Sequence, residues 1–334
     1  MSKADAALAI LWVGATFYAL FGGADFGGGF WDLVAGGPER GQQPRDTIQR
    51  SLTPVWEANH VWLIFVLVVL WTAFPSAFSA IFTTLYVPIA LAALGIVLRG
   101  AGFAFRKSIV GLQGRRAMGA TFAISSLLTP FFMGTVVGAI AAGNVPAEGN
   151  GDAFSSWLAP LPLLVGAMFV ASGAYLAAVF LVGDARRAGD EEMERYFERR
   201  ALGAAVVAGA FAVAGLVALH GEARYVFDRL TSQGLPLVVL SLLCGAALLA
   251  VLLRGGRRLL RPLAAGAVIA VIWGWGVAQF PYLLPTSLRI DQAAAPDPTM
   301  TTIFIVFAAA AVFVLPSLAL LYTLTQRDLL ESEH

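Results

Sequence analysis

Charge is scarce in this chain. Only 13% of its residues are Asp, Glu, Lys or Arg, while 58% are hydrophobic. Soluble domains carry about 25% charged residues, so a mean hydropathy of +0.77 over 334 residues points to a polytopic membrane protein. The formal net charge of +1 leaves no basic footprint for nucleic acid. The single cysteine, Cys244, excludes an intrachain disulfide, and its place inside an apolar run reads as a small core residue. There are three histidines and no CxxCH, CxxC or HExxH spacing, so no metal centre is expected. Lysine is nearly missing as well, with Lys3 and Lys107 the only two.

What is present is a series of long apolar runs. They predict an all-α integral membrane protein with about nine spans, near 6–34, 53–74, 78–104, 119–142, 157–182, 201–220, 235–254, 261–283 and 302–324. The first run extends well past the length of a signal peptide, so it is read as the first spanning helix. Prolines 38, 44, 75, 146, 285, 296 and 298 punctuate the joints. The stretch 184–200 alternates in charge and predicts a solvated helical extension between the fifth and sixth spans. Loops after odd-numbered spans hold 17 of the Lys and Arg residues and the opposite side holds 4. Cytoplasmic loops are enriched in these residues, which places the N-terminus outside and the C-terminus inside. Residues 13–17 (VGATF) and 165–169 (VGAMF) are similar, which predicts two four-helix units, 1–142 and 157–283, plus a ninth helix at 302–324. The second unit lacks the charged residues of the first.

The second span begins Trp56-Glu57-Ala58-Asn59-His60-Val61-Trp62. An ionisable group within a bilayer costs at least roughly 2.5–3.5 kcal/mol on insertion scales, so such a group usually serves a partner or a water path. Glu57 and His60 are three apart, on one helix face. With the orientation above, Asp25 in the first span, Glu57 and His60 in the second and Arg99 in the third reach one level, open toward the cytoplasm. An acid in a low-dielectric site is suited to carrying protons, and this is the reading for Glu57, with His60 a lesser relay. Asp25 reads either as a structural partner of Arg99 or as a contact for a quinone headgroup or proton path. Trp56 abuts this cluster and is a candidate wall of a quinone site, although Trp12, Trp31, Trp56, Trp62, Trp71 and Trp157 read first as an interfacial belt. The glycines around Asp25 (GGADFGGG, 22–29) do not form a phosphate loop, since no strand precedes them and no Lys-Ser/Thr follows. A haem held between His60 and His220 is geometrically poor, because the two fall at different depths, and His334 is terminal.

Three strings, GGADFGGGFWDL in the first span, the run from Arg45 to Ile64 containing PVWEANHVWLI, and GIVLRGAGFAFR ending the third, are similar to subunit II of cytochrome bd-type quinol oxidases. The resemblance is dense over 10–107 and beyond that rests on length, span number and topology. It implies a homologous subunit I as partner, carrying two b-type haems and one d-type haem, with no haem on this chain and no catalytic residue in it. It also implies oxidation of a quinol, ubiquinol or menaquinol, and reduction of dioxygen to water with protons taken up from the cytoplasm. A small accessory subunit is a further possible partner, and the bacterial cytoplasmic membrane is the implied location. By position, Glu57 matches the family's motif acid, associated with proton transfer, while Asp25 and Arg99 match residues linked to interhelical pairing and a bound quinone. His60 falls at a position that is not always histidine. Two other readings compete: a proton-coupled secondary transporter, which the acid–arginine cluster and glycine-broken first helix would suit, and a passive assembly scaffold.

Overall fold

The computed structural model describes residues 2–37, 40–106, 112–256 and 258–326; within these, the side chains at 52–58, 103–106, 112–118 and several positions beyond 314 lie outside the description. Helix α1 (Lys3–Leu33) starts with a reciprocal cap: Ser2 Oγ accepts from the Asp5 amide, and the Asp5 carboxylate accepts from the Ser2 N–H. Helix α2 (Gln42–Ala73) begins about three turns before the apolar run, so its opening turns are polar. It stops because Pro75 has no N–H for a continuing helix, and Phe74 turns the chain with φ −135° and ψ 61°.

The expected span at 78–104 is therefore corrected. Pro75 instead starts a short helix α3 (Pro75–Thr84), bent by 115° from the apolar part of α2. Helix α4 (Tyr86–Arg106) follows after Leu85. The ring of Pro88 would clash with the Thr84 carbonyl in a continuous helix, which accounts for this second break. Next come α5 (Leu112–Ala141), α6 (Pro160–Arg187) and α7 (Glu191–Glu222). The stretch 184–200 is not one solvated helix. Gly189, at φ +70°, turns the chain between α6 and α7, and Met193, Glu194 and Phe197 are buried. Helix α8 (Arg224–Leu230), α9 (Leu235–Leu253) and α10 (Leu260–Gln279) lead to an antiparallel hairpin of β1 (Tyr282–Leu284) and β2 (Leu288–Arg289). A single turn α11 (Ile290–Ala293) and the long α12 (Asp297–Gln326) complete the order.

Among the described residues, seven helices are long and apolar enough to cross a membrane, or eight if the bent pair of α2 and α3 is one span. The difference from nine falls on α2 and α4. The first spends its opening turns on polar residues and then bends; the described side chains of the second are apolar only over Tyr86–Gly102.

Helices α1, α5 and α6 pack against one another at the centre. Helix α2 lies on α1 and α4 on α5; on the other side α7 lies on α6, and α9 on α10. The central crossings are close because glycines face backbone: a Cβ on Gly27 would fall 1.9 Å from the Gly173 carbonyl oxygen, and one on Gly134 2.7 Å from Gly166 Cα. The α1–α10 contact is made differently, with the Trp12 indole laid over Gly276, ring-to-ring with Trp275 at 5.1 Å and donating to the Ile272 carbonyl at 3.1 Å. Trp31 likewise donates to the Ala174 carbonyl at 2.8 Å. These two tryptophans thus tie helices together inside the protein instead of serving only as an interfacial belt.

Candidate functional site

Four helices meet at a buried polar cluster. Arg99 of α4 and Asp25 of α1 are 2% and 1% exposed, so each charge depends on the other. Arg99 Nη2 lies 2.6 Å from Asp25 Oδ1 and also donates to the Asp25 backbone carbonyl at 2.9 Å. Its other terminal nitrogen, Nη1, donates to Ser126 Oγ on α5. The guanidinium lies over the rings of Phe122 at 4.3 Å and Phe26 at 5.0 Å, so its faces meet aromatic surface while its edge is hydrogen-bonded. Asn59 of α2 completes the group by donating to Asp25 Oδ2 at 3.4 Å.

The glycine-rich string in α1 explains how these side chains fit. A Cβ on Gly29 would sit within 3 Å of Arg99 Nη1 and even nearer Ser126 Oγ, and one on Gly22 would sit 2.8 Å from Asn59 Oδ1. On α4, a Cβ on Gly95 would press on Thr129. The glycines therefore make room for polar side chains from neighbouring helices. Removing one partner of such a buried pair leaves an uncompensated charge at a cost of about 3–5 kcal/mol. Some capacity is left over: among the described residues, Arg99 Nε, Asn59 Oδ1 and Thr129 Oγ1 have no hydrogen-bond partner. Buried polar atoms of this kind are normally satisfied, and ordered water is the usual partner.

The structure brings together Asp25 and Arg99 from the expected set. Glu57 and Trp56 fall in α2, one turn or less before Asn59, but their side chains lie outside the described residues. His60 is half-buried on the same helix. Sequence reading missed Ser126, whose hydroxyl bonds the Phe122 carbonyl at 2.6 Å while accepting from Arg99. Its signal was a Ser-Ser pair within an apolar run. A second pair was also missed. Arg45 Nε lies 3.1 Å from the buried Asp32, and Arg45 Nη2 donates to the Gly36 carbonyl at 2.5 Å, so a cation closes the C-terminal end of α1.

The family model for cytochrome bd terminal oxidase subunit II matches residues 4–325. The chain belongs to this family. A Bacillus subtilis (strain 168) chain named for a cytochrome bd menaquinol oxidase subunit II is 21% identical over 333 residues, 96% of this chain and 95% of the relative. The Escherichia coli (strain K12) cytochrome bd-I ubiquinol oxidase subunit 2 is 28% identical over 225 residues, 63% of this chain and 55% of the relative. Among solved structures, bd oxidase from Geobacillus thermodenitrificans matches with a TM-score of 0.77 at 25% identity, covering 97% of this chain and 98% of that one. Membership in this family sets aside the transporter reading.

Members belong to haem-bearing complexes, so whether this chain's residues fit a haem is a direct question. Among the described residues, no three of His, Cys, Asp and Glu gather as a metal site. His220 lies at the far end of α7 with a ring nitrogen 2.9 Å from Arg224 Nη1, and His60 is on α2. His334 lies outside the described residues. The His220 ring is thus engaged by Arg224 instead of being left free as an axial ligand.

Proposed function

We propose that this chain, a subunit of a quinol:oxygen oxidoreductase complex, gives protons a cytoplasm-facing way into the bilayer through Glu57, beside a locked Arg99–Asp25 pair. The observation carrying this reading is the polar cluster in the interior of four apolar helices, with atoms to spare for water. Reducing dioxygen to water consumes protons, and those protons must enter a low-dielectric region where an isolated charge is costly. Carboxylates and water divide that cost into short transfers. Glu57 sits one helical turn from His60 and two residues before Asn59, which reaches Asp25. His60 is a lesser relay in the same helix.

Asp25 and Arg99 are read here as an interhelical pair. Both are nearly inaccessible, and the guanidinium is committed to Asp25, Ser126 and two aromatic faces. That leaves little for a quinone headgroup; a role for Trp56 in walling one stays with the quinone reading. The haems, two b-type and one d-type, are assigned to subunit I, a reading supported by the engagement of His220 with Arg224. A small accessory subunit is a further candidate partner, and the bacterial cytoplasmic membrane is the location. The nine long helices, counting α2 and α4 as spans, with the N-terminus outside and the C-terminus inside, are supported by the distribution of arginine. Two four-helix units followed by α12 are supported by similar packing on either side of α1 and α6.

The test is oxygen uptake by the purified complex carrying Glu57→Gln, with haem content checked by the reduced-minus-oxidised absorbance spectrum. Loss of a proton-transfer group is expected to slow turnover on the order of 10²-fold, with normal haem bands and subunit stoichiometry. Unchanged oxygen uptake with normal haem content would sink the relay and leave a scaffold.

A further inference from the structure

A groove of about 550 Å³ lies away from the polar cluster, between α5, α6 and α7, with the end of α1 at its mouth. Its long wall is a stripe on α7 formed by Gly203, Val207 and Phe211, faced by Phe131 of α5 and Val170 of α6. These positions recur at helical spacing, so the groove follows the axis of α7. From Arg200 to Phe211 that axis rises by about 16 Å, close to half of the roughly 30 Å hydrocarbon core and thus to one leaflet. Its volume falls within the usual range of sites for small molecules.

The lining carries a single charge, and it stands at the mouth. Arg200 is half-buried, with its guanidinium over the Tyr196 ring at 3.2 Å and near the Trp31 ring at 5.9 Å. Its one hydrogen bond among the described residues is to the Tyr196 carbonyl at 3.2 Å, and no carboxylate there lies within ion-pair distance. Three other arginines with buried or half-buried side chains have acids: Arg99 has Asp25, Arg45 has Asp32 and Arg261 has Asp184. Arg200 and Arg229 are half-buried without such an acid among the described residues, and of these two it is Arg200 that lines the groove. A guanidinium with free donors at the head of an apolar, leaflet-long channel complements a phosphodiester with an acyl chain below it.

We propose that this groove holds one anionic glycerophospholipid, its phosphate on Arg200 and one acyl chain along α7. Aromatic surface from Trp31 and Tyr196 frames the headgroup level, where such rings are favoured. Gly203 leaves the channel open beneath the guanidinium, since nothing lies within 4 Å of where its Cβ would be.

The experiment uses the intact oxidase complex, stripped of lipid in detergent and titrated with phosphatidylglycerol or phosphatidylcholine, with bound lipids counted by native mass spectrometry. Wild type is expected to hold one phosphatidylglycerol more tightly than the rest, and more tightly than phosphatidylcholine. Arg200→Gln should weaken that one site on the order of tenfold and abolish the headgroup preference, in keeping with loss of a charge-assisted contact. Gly203→Phe, which fills the channel but keeps the arginine, should remove the same site for both lipids. Equal phosphatidylglycerol binding by wild type and Arg200→Gln would overturn the proposal. So would recovery of a quinone from the groove, or a complex in which partner protein covers it and no such lipid is retained.

Discussion

The two halves of the molecule, α1–α5 and α6–α10, share a plan but not a chemistry. In each, the second long helix ends at a residue with nearly the same backbone: Phe74 at φ −135° and ψ 61°, Ala223 at φ −136° and ψ 57°. Each break is followed by a short helix, α3 or α8, and then by the third long helix. Aligned on the VGATF and VGAMF strings, Asp32 corresponds to Asp184, since each lies 19 residues after its valine. Both acids bind an arginine that also donates to carbonyls near the end of the same helix: Arg45 to Gly36, and Arg261 to Phe180 at 2.7 Å. The correspondence then fails in one place. Asp25 aligns with Ala177, and Arg99, 13 residues into α4, aligns with Leu248, 13 residues into α9. Leu248 is fully buried in an apolar cluster with Ala178, Val182 and Ala264. The same frame thus holds an ion pair in one half and a leucine in the other. A comparable arrangement of helices therefore forms around Leu248 without a buried charge at that position.

Copying the second half into the first is the strongest way to break this comparison. Arg99→Leu strands the Asp25 carboxylate and is expected to cost about 3–5 kcal/mol, seen as lost yield and a lower melting temperature of the complex. The double variant Arg99→Leu, Asp25→Ala reproduces the Leu248–Ala177 combination. It is expected to melt well above the single variant, because two apolar residues replace a buried pair without leaving a charge behind. If the double variant is no better than the single one, the two halves are not interchangeable at this position and the alignment is wrong.

The central seam gives a smaller effect. Gly27 of α1 and Gly173 of α6 join the halves, and a Cβ at Gly27 would overlap the Gly173 carbonyl. Gly27→Ala is expected to destabilise by about 1–3 kcal/mol by forcing the two helices apart. Gly209 on α7 faces open space. Gly209→Ala is expected to be neutral or slightly stabilising, since alanine is the better helix former by roughly 0.8–1.0 kcal/mol in a helix interior. Comparable losses in the two variants would remove the seam from the argument, and thermal unfolding of the two complexes decides between these outcomes.

How much of this was legible in the sequence follows from the kinds of signal involved. Long apolar runs specify helices strongly, so α1, α6, α9 and α10 appear close to their expected limits. The pairing of Asp25 with Arg99 was open to reading because two opposite charges in adjacent apolar spans have few other partners. Ser126 was hidden, since a hydroxyl in an apolar helix usually bonds its own preceding turn, as Ser126 does with Phe122. The break at Leu85 was hidden for another reason. Its cause is Pro88, three residues further on, inside a run with no charged residue before Arg99 to mark a joint. Asp32 with Arg45, and Arg261 with Asp184, depend on helix ends coming together in space, which spacing along the chain does not reveal.

The smallest expected effect concerns the segment between the halves. After α5 the chain runs through residues 142–159 before α6 begins. Asp152 organises its middle: its carboxylate accepts from the Phe154 amide at 2.9 Å, the Ser155 amide at 2.7 Å and the Ser155 hydroxyl. Those backbone hydrogen bonds hold its pKa below the ordinary aspartate value of 3.8, the Ser155 amide contributing most. A carboxylate whose folded pKa is depressed contributes stability that is present above its unfolded pKa and lost as pH falls through the folded one. The turn should therefore stay closed at neutral pH and begin to open only below about pH 3.8. Hydrogen exchange, corrected for the intrinsic effect of pH, should show protection at Phe154 and Ser155 falling there while Asn144, whose backbone amide donates to the Ala139 carbonyl at 3.0 Å without a titrating partner, changes less. Asp152→Asn should remove the pH dependence. If protection at those two amides is unchanged into acid, the carboxylate does not hold the link, and the connection between the halves rests on Trp157, buried against Phe132 of α5.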